Sequence, residues 1–157
     1  MAQPSFGIRP RLLIVLASTV LLFTPALARA DDVGQIKVAK GAVHIERSGR
    51  TIPAPVGAKV QQGDVVVTGP DGTVGIIFLD ASLLSVGPRS VLAIDRFVFD
   101  STTNQGAFET SLKRGKLAAV SGKIAKQSPD AMKVRTPAAV LGVRGTEFLV
   151  RTSGPGD

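Results

Sequence analysis

Short runs of Val, Ile, Leu and Phe, each closed by glycine or a polar turn, recur along this chain from Val33 onward. None of them sustains a helical period. Runs of about 5–8 residues with turn signals roughly every 8–12 fit architectures built from many short strands, each burying one face. Such runs include "DVVVTG", "TVGIIFLD", "VLAIDRFVFD", "AFETSLKRG", "KLAAVSG", "MKVRT" and "TEFLVRT", separated by signals such as Pro70-Asp71-Gly72. The predicted class is all-β, a short β-solenoid-like or sandwich-like stack. No strict motif repeats, so the pattern leaves those two open.

Local details sharpen the expectation. Leu92 and Ile94 face inward, and Phe97 and Phe99 join them only if a bulge near Asp95-Arg96 resets the alternation. Leu117 to Val120 reads as buried on both faces. Ser101–Gly106 and Gln127–Asp130 read as loops, and Thr51 to Val56, with two prolines, as an extended surface connection.

The first thirty residues have a different grammar. Arg9 and Arg11 precede an apolar run from Leu12 through Phe23; Pro25 breaks it, and Ala28-Arg29-Ala30 is a small-x-small cleavage pattern. The run is about 12–15 residues, short of the roughly 20 needed to span a bilayer. The expected organisation is a cleaved signal helix at 1–30, an all-β domain at 31–152 and a loose tail at 153–157. The expected location is periplasmic or secreted, with no transmembrane span after cleavage.

Composition removes several function classes. There is no cysteine, one histidine, and neither tryptophan nor tyrosine. Disulfides, thiolate chemistry and a His-rich metal site are excluded, so no metal or cofactor is expected. The formal net charge is +7, but the export segment carries three of the arginines and no acid. The remaining basic residues are scattered, and no nucleic-acid partner is expected.

The closing stretch "TPAAVLGVRGTEFLV" carries the most specific signal. Thr136-Pro137, small residues, and then Gly142-Val143-Arg144-Gly145-Thr146-Glu147-Phe148 resemble the signature of the FecR domain family. Upstream, "GDVVVTGPDGTVGIIFLDASLLSVGPRSVLAI" is similar to the family's segment, and the resemblance covers nearly all of Val33 to Val150. It implies a periplasmic, all-β, solenoid-like module that serves envelope signalling. In the regulators that name the family, a cytoplasmic segment controls a sigma factor. About eleven residues precede the apolar run here, too few for such a segment, so the exported module alone is expected.

The same residues have a physical reading. Pro137 fixes its own φ and extends Thr136. Gly142 and Gly145 permit backbone angles or close approaches denied to other residues. Phe148 faces inward and Glu147 outward. The stretch is read mainly as a structural corner, with Arg144 and Glu147 as candidate partner contacts.

No catalytic residue is expected. His44 alternates with Val43 and Ile45 and points to solvent. Asp64, Asp71 and Asp80 sit where turns need an aspartate. Asp95, Asp100 and Glu109 lack the spacing of an acid/base pair. No serine sits in a Gly-x-Ser-x-Gly elbow. Lys113, Arg114, Lys116, Lys123 and Lys126 form a loose basic region.

The leading expectation is therefore a non-enzymatic module that binds another envelope protein through strand edges and the loops Ser101–Gly106 and Gly122–Asp130. Arg144, Glu147, Lys113, Arg114, Lys123 and Lys126 are its candidate contacts. The alternative is a module for peptidoglycan or another anionic wall polymer. A third, a small β-helical hydrolase or lyase using Asp95 or Glu109, has the least support.

Overall fold

The computed structural model describes Met1, residues 31–143 and residues 147–153. Apart from Met1, the expected export signal lies outside the described residues. So do Arg144, Gly145, Thr146 and the tail beyond Ser153. No helix among the described residues is long and apolar enough to cross a membrane.

The described residues form an all-β fold. In chain order the strands are β1 (Asp32–Lys40), β2 (Val43–Arg47), β3 (Arg50–Pro53), β4 (Lys59–Gln61), β5 (Val65–Thr68), β6 (Thr73–Phe78), β7 (Leu83–Val86), β8 (Val91–Phe99), β9 (Gly106–Val120), β10 (Met132–Arg135), β11 (Val140–Gly142) and β12 (Glu147–Thr152). One short helix, α1 (Lys123–Gln127), and a 3-10 turn at Pro129–Ala131 link β9 to β10.

The sheet curls over on itself through β9. One layer runs β4-β1-β6-β7-β9-β12 and uses the C-terminal part of β9. The other runs β3-β2-β5-β8-β9-β10-β11 and uses its N-terminal part. Among the described pairings only β9–β10 is parallel. A β-solenoid stacks its coils in parallel, so the antiparallel ladders and facing layers match the sandwich-like alternative.

The alternation read from the sequence places the core. In β6, Val74, Ile76 and Phe78 are buried and their neighbours are partly exposed. Ile36, Ile45, Leu92, Ile94, Leu112 and Leu117 are fully enclosed. Each such side chain contributes about 1.5–3 kcal/mol of burial. Phe78 from one layer meets Phe108 and Phe97 from the other, with ring centroids 4.5 and 5.6 Å away. The predicted bulge is present: Ile94 pairs with Thr110 and Arg96 with Glu109, leaving Asp95 as the extra residue. Phe97 is accordingly buried, and Phe99 packs against the core.

Three expectations are corrected. The runs "AFETSLKRG" and "KLAAVSG" are one strand of 15 residues, not two. Gly115, at φ 95°, bends it, and a Cβ there would overlap Ser90. Leu117 to Val120 is buried on one face only: Leu117 and Ala119 point inward, whereas Val120 is 40% exposed, because no third layer among the described residues covers the outer face. The segment read as loop after Gly122 holds α1, whose Ile124 and Ala125 plug the end of the sandwich where β9 begins. Five residues are too few to display a helical period.

Candidate functional site

The closing motif is a corner. Thr136 follows β10, and its Oγ1 accepts hydrogen bonds from the amides of Ala138 and Ala139 at 3.3 and 3.1 Å. Its own amide donates to the Ala139 carbonyl at 2.8 Å. Pro137 occupies this exposed turn, which returns the chain as β11. Val143 is buried and its amide donates to the Met132 carbonyl at 3.0 Å. On β12, Phe148 packs inward against the core and Glu147 is exposed, as the alternation required. Gly142 departs from expectation. Its φ is unremarkable for any residue, and a Cβ there would lie 4.0 Å from its nearest neighbour, so this position does not need glycine.

The carboxylates serve structure. Asp64 is fully buried and paired with Arg47. Asp80 is buried in a turn, its two oxygens accepting from the amide and hydroxyl of Ser82 at 3.0 and 2.7 Å. Ser82 Oγ in turn accepts from the Gly122 amide at 2.9 Å, tying this turn to the start of α1. Asp71 accepts from the Ala42 amide. Asp95, Asp100 and Glu109 each have separate partners: Ser111 for Asp95, the Thr102 and Thr103 amides for Asp100, Arg135 and Arg96 for Glu109. His44 is half-exposed, 3.9 Å from Glu46. Among the described residues no group of three or more His, Asp or Glu could hold a metal ion.

The basic region divides. Lys123 and Lys126 stand exposed on α1, at one end of the sandwich. Lys113, Arg114 and Lys116 stand exposed around the bend of β9. Lys113 is the extra residue of a second bulge, between the pairs Val91–Arg114 and Leu92–Leu112. The sequence reading missed that two distant arginines join this bend. Arg151 on β12 is the direct cross-strand partner of Lys116. Arg89 lines clefts on both sides of Pro70, beside Arg114 in one and beside Lys116 and Arg151 in the other. Register brought them together, and a reading by proximity along the chain cannot see register.

The opposite character appears further along β12. Leu149 is 73% exposed on the outer face. Val120, in the adjoining strand, pairs with both Leu83 and Glu147. Leu83 and Val120 are exposed as well. Among the described residues β12 pairs only with β9, so its other side is an open edge.

A sequence model described as FecR protein matches residues 64–156, more than half of the chain. The chain belongs to the FecR family. The match begins at the buried Asp64 and takes in the β9 bend and the Thr136 corner. Strands β1 to β4 of this FecR protein precede the matched segment, yet β1 lies between β6 and β4 in the same layer. Neither a curated protein nor a solved structure matches the chain significantly.

Proposed function

We propose that this FecR-family chain is a non-enzymatic envelope module, acting outside the cytoplasm, that binds another envelope protein in signalling or scaffolding. Membership of a family of signalling regulators supports the envelope-signalling part of this reading. The unit that binds is residues 31–152, with the export signal removed.

One observation carries the protein-binding part: the exposed apolar strip of Leu83, Val120 and Leu149 beside the open edge of β12. Large aliphatic groups gathered on a sheet face, next to unpaired strand amides and carbonyls, mark a surface that gains by being covered. Leu149 is flanked on the same face by Glu147 and Arg151, which supply a polar rim. Glu147 thus remains a contact residue in this proposal, and Lys123, which follows Val120 and whose amide donates to the Asp80 carbonyl at 2.8 Å, opens the helix beside the Leu83 end of the strip.

A photoreactive side chain placed at position 149 in the full chain, compared with one at the exposed Gly49 turn, tests the reading in cells. The expected result is one defined protein adduct from position 149, absent from position 49 and lost when Leu83 and Val120 are both replaced by Asp. If both positions yield the same adducts, and the purified chain sediments with peptidoglycan even at high salt, the polysaccharide reading replaces this one.

A further inference from the structure

We propose that the bend of β9 carries a binding site for closely spaced phosphoryl groups, held by Arg89, Arg114, Lys116 and Arg151. The site lies beyond the apolar strip and does not depend on that strip having a partner.

Two clefts of about 400 and 410 Å³ flank Pro70, and Arg89 borders both. Among the described residues no carboxylate lines either one. Asp71, which follows Pro70 in the chain, accepts a hydrogen bond from the Ala42 amide. None of the four cations forms an ion pair among the described residues. Lys116 and Arg151 are moreover direct cross-strand partners, which sets their Cα atoms about 4.5–5.5 Å apart on one face. Like charges placed opposite each other in a sheet destabilise it. An anion seated between them converts that repulsion into attraction.

The backbone under these cations is fixed in an unusual way. Arg89 has φ 52°, in the left-handed region that a long side chain rarely adopts. It is held there by its amide donating to the Gly69 carbonyl at 3.0 Å. A buried pair of hydroxyls completes the frame. Thr68 Oγ1 donates to the Gly87 carbonyl at 2.6 Å and accepts from the Ser90 amide at 2.9 Å. Ser90 Oγ donates to the Pro88 carbonyl and accepts from the Lys116 amide, each at 3.0 Å. The Gly87 amide donates to the Lys116 carbonyl at 2.9 Å. Arg89 and Lys116 are therefore presented by rigid backbone rather than by a loose loop, and strain of this kind is retained where a site requires it.

The cation chemistry selects the ligand class. Three of the four are arginines, whose planar forks bind phosphate oxygens two at a time. Apart from the His44 imidazole in the first cleft, no ring among the described residues borders either one, so the clefts offer no stacking platform of Phe, Tyr or Trp. Recognition rests on charge density, which is higher in adjacent phosphoryl groups than in spaced carboxylates.

The test titrates the full chain with tripolyphosphate by calorimetry at moderate salt, and separately measures co-sedimentation with phosphatidylglycerol vesicles. Binding to tripolyphosphate without sedimentation identifies a soluble phosphorylated ligand; sedimentation identifies a lipid headgroup. Either supports the site, provided Arg89→Gln/Arg114→Gln weakens binding at least tenfold. The charge-matched control Lys123→Gln/Lys126→Gln is expected to change it less than twofold. Arg114→Gln/Arg151→Gln, which leaves the Arg89 turn intact, guards against misfolding and is expected to match the first variant. Equal weakening by the control, equal affinity for poly-glutamate, or no binding to either probe overturns the proposal.

Discussion

Arg47 holds the buried carboxylate of Asp64 with both arms of its guanidinium, Nε to Oδ1 and Nη2 to Oδ2, each at 2.7 Å. Nη2 also donates to the Lys59 carbonyl at 3.0 Å, and Asp64 Oδ2 accepts from the Gln61 amide at 2.7 Å. Asp64 is inaccessible to solvent, whereas Arg47 is partly open to it. The hydrogen bonds to Asp64 hold the Arg47 guanidinium above its ordinary pKa. The pair links β2 to the turn between β4 and β5.

Removing one partner of a buried pair leaves the other charge without compensation, so Arg47→Met is expected to cost about 3 kcal/mol of unfolding free energy. The double variant Arg47→Met/Asp64→Asn is expected to cost clearly less than the sum of the two single changes. Urea denaturation of all four proteins measures the coupling.

Gly115 combines a positive φ with contact against Ser90, so Gly115→Ala meets both backbone strain and overlap. A loss of at least about 2 kcal/mol is expected. Thermal unfolding followed by circular dichroism checks it. A variant as stable as the parent would show that the bend does not require glycine.

Thr110 Oγ1 is buried on β9 with no hydrogen-bond partner among the described residues. Thr110→Val keeps the shape and removes the unsatisfied hydroxyl. The expected gain is about 1 kcal/mol, read as a higher urea midpoint with an unchanged slope.

Asp100 is held below the ordinary carboxylate pKa, first by the Thr102 amide and then by the Thr103 amide. The sign follows from linkage. A carboxylate whose folded pKa is depressed adds stability that is present above its unfolded value, about 3.9, and lost as pH falls through the lower folded value. NMR titration is expected to show the Thr102 and Thr103 amide shifts moving together at a pH below 3.9 or so. Asp100→Asn is expected to abolish that transition without altering the fold.

Strand positions were legible because alternation is local. The broken phase between Ile94 and Phe97 announced the Asp95 bulge, and Phe148 pointed inward as its place in "TEFLV" required. What escaped depends on register between distant segments. Asp64 beside Gly63 looked like a turn residue, since nothing in its neighbourhood indicates that Arg47 reaches it. Lys116 looked like one of a basic series with Lys113 and Lys123, and its cross-strand partner Arg151 lies far along the chain. Gly142 was given a conformational role by its position in a motif, yet an ordinary backbone and open space surround it. Helix α1 was hidden by brevity.

Because β9 is common property of both layers, any opening that removes it from one is expected to reach the other. Amide protons on the two sides of Gly115 are therefore expected to exchange with solvent through a single shared opening. A molecule that prised β12 from its place is expected to loosen the opposite layer as well, making the two-layered body one cooperative responder.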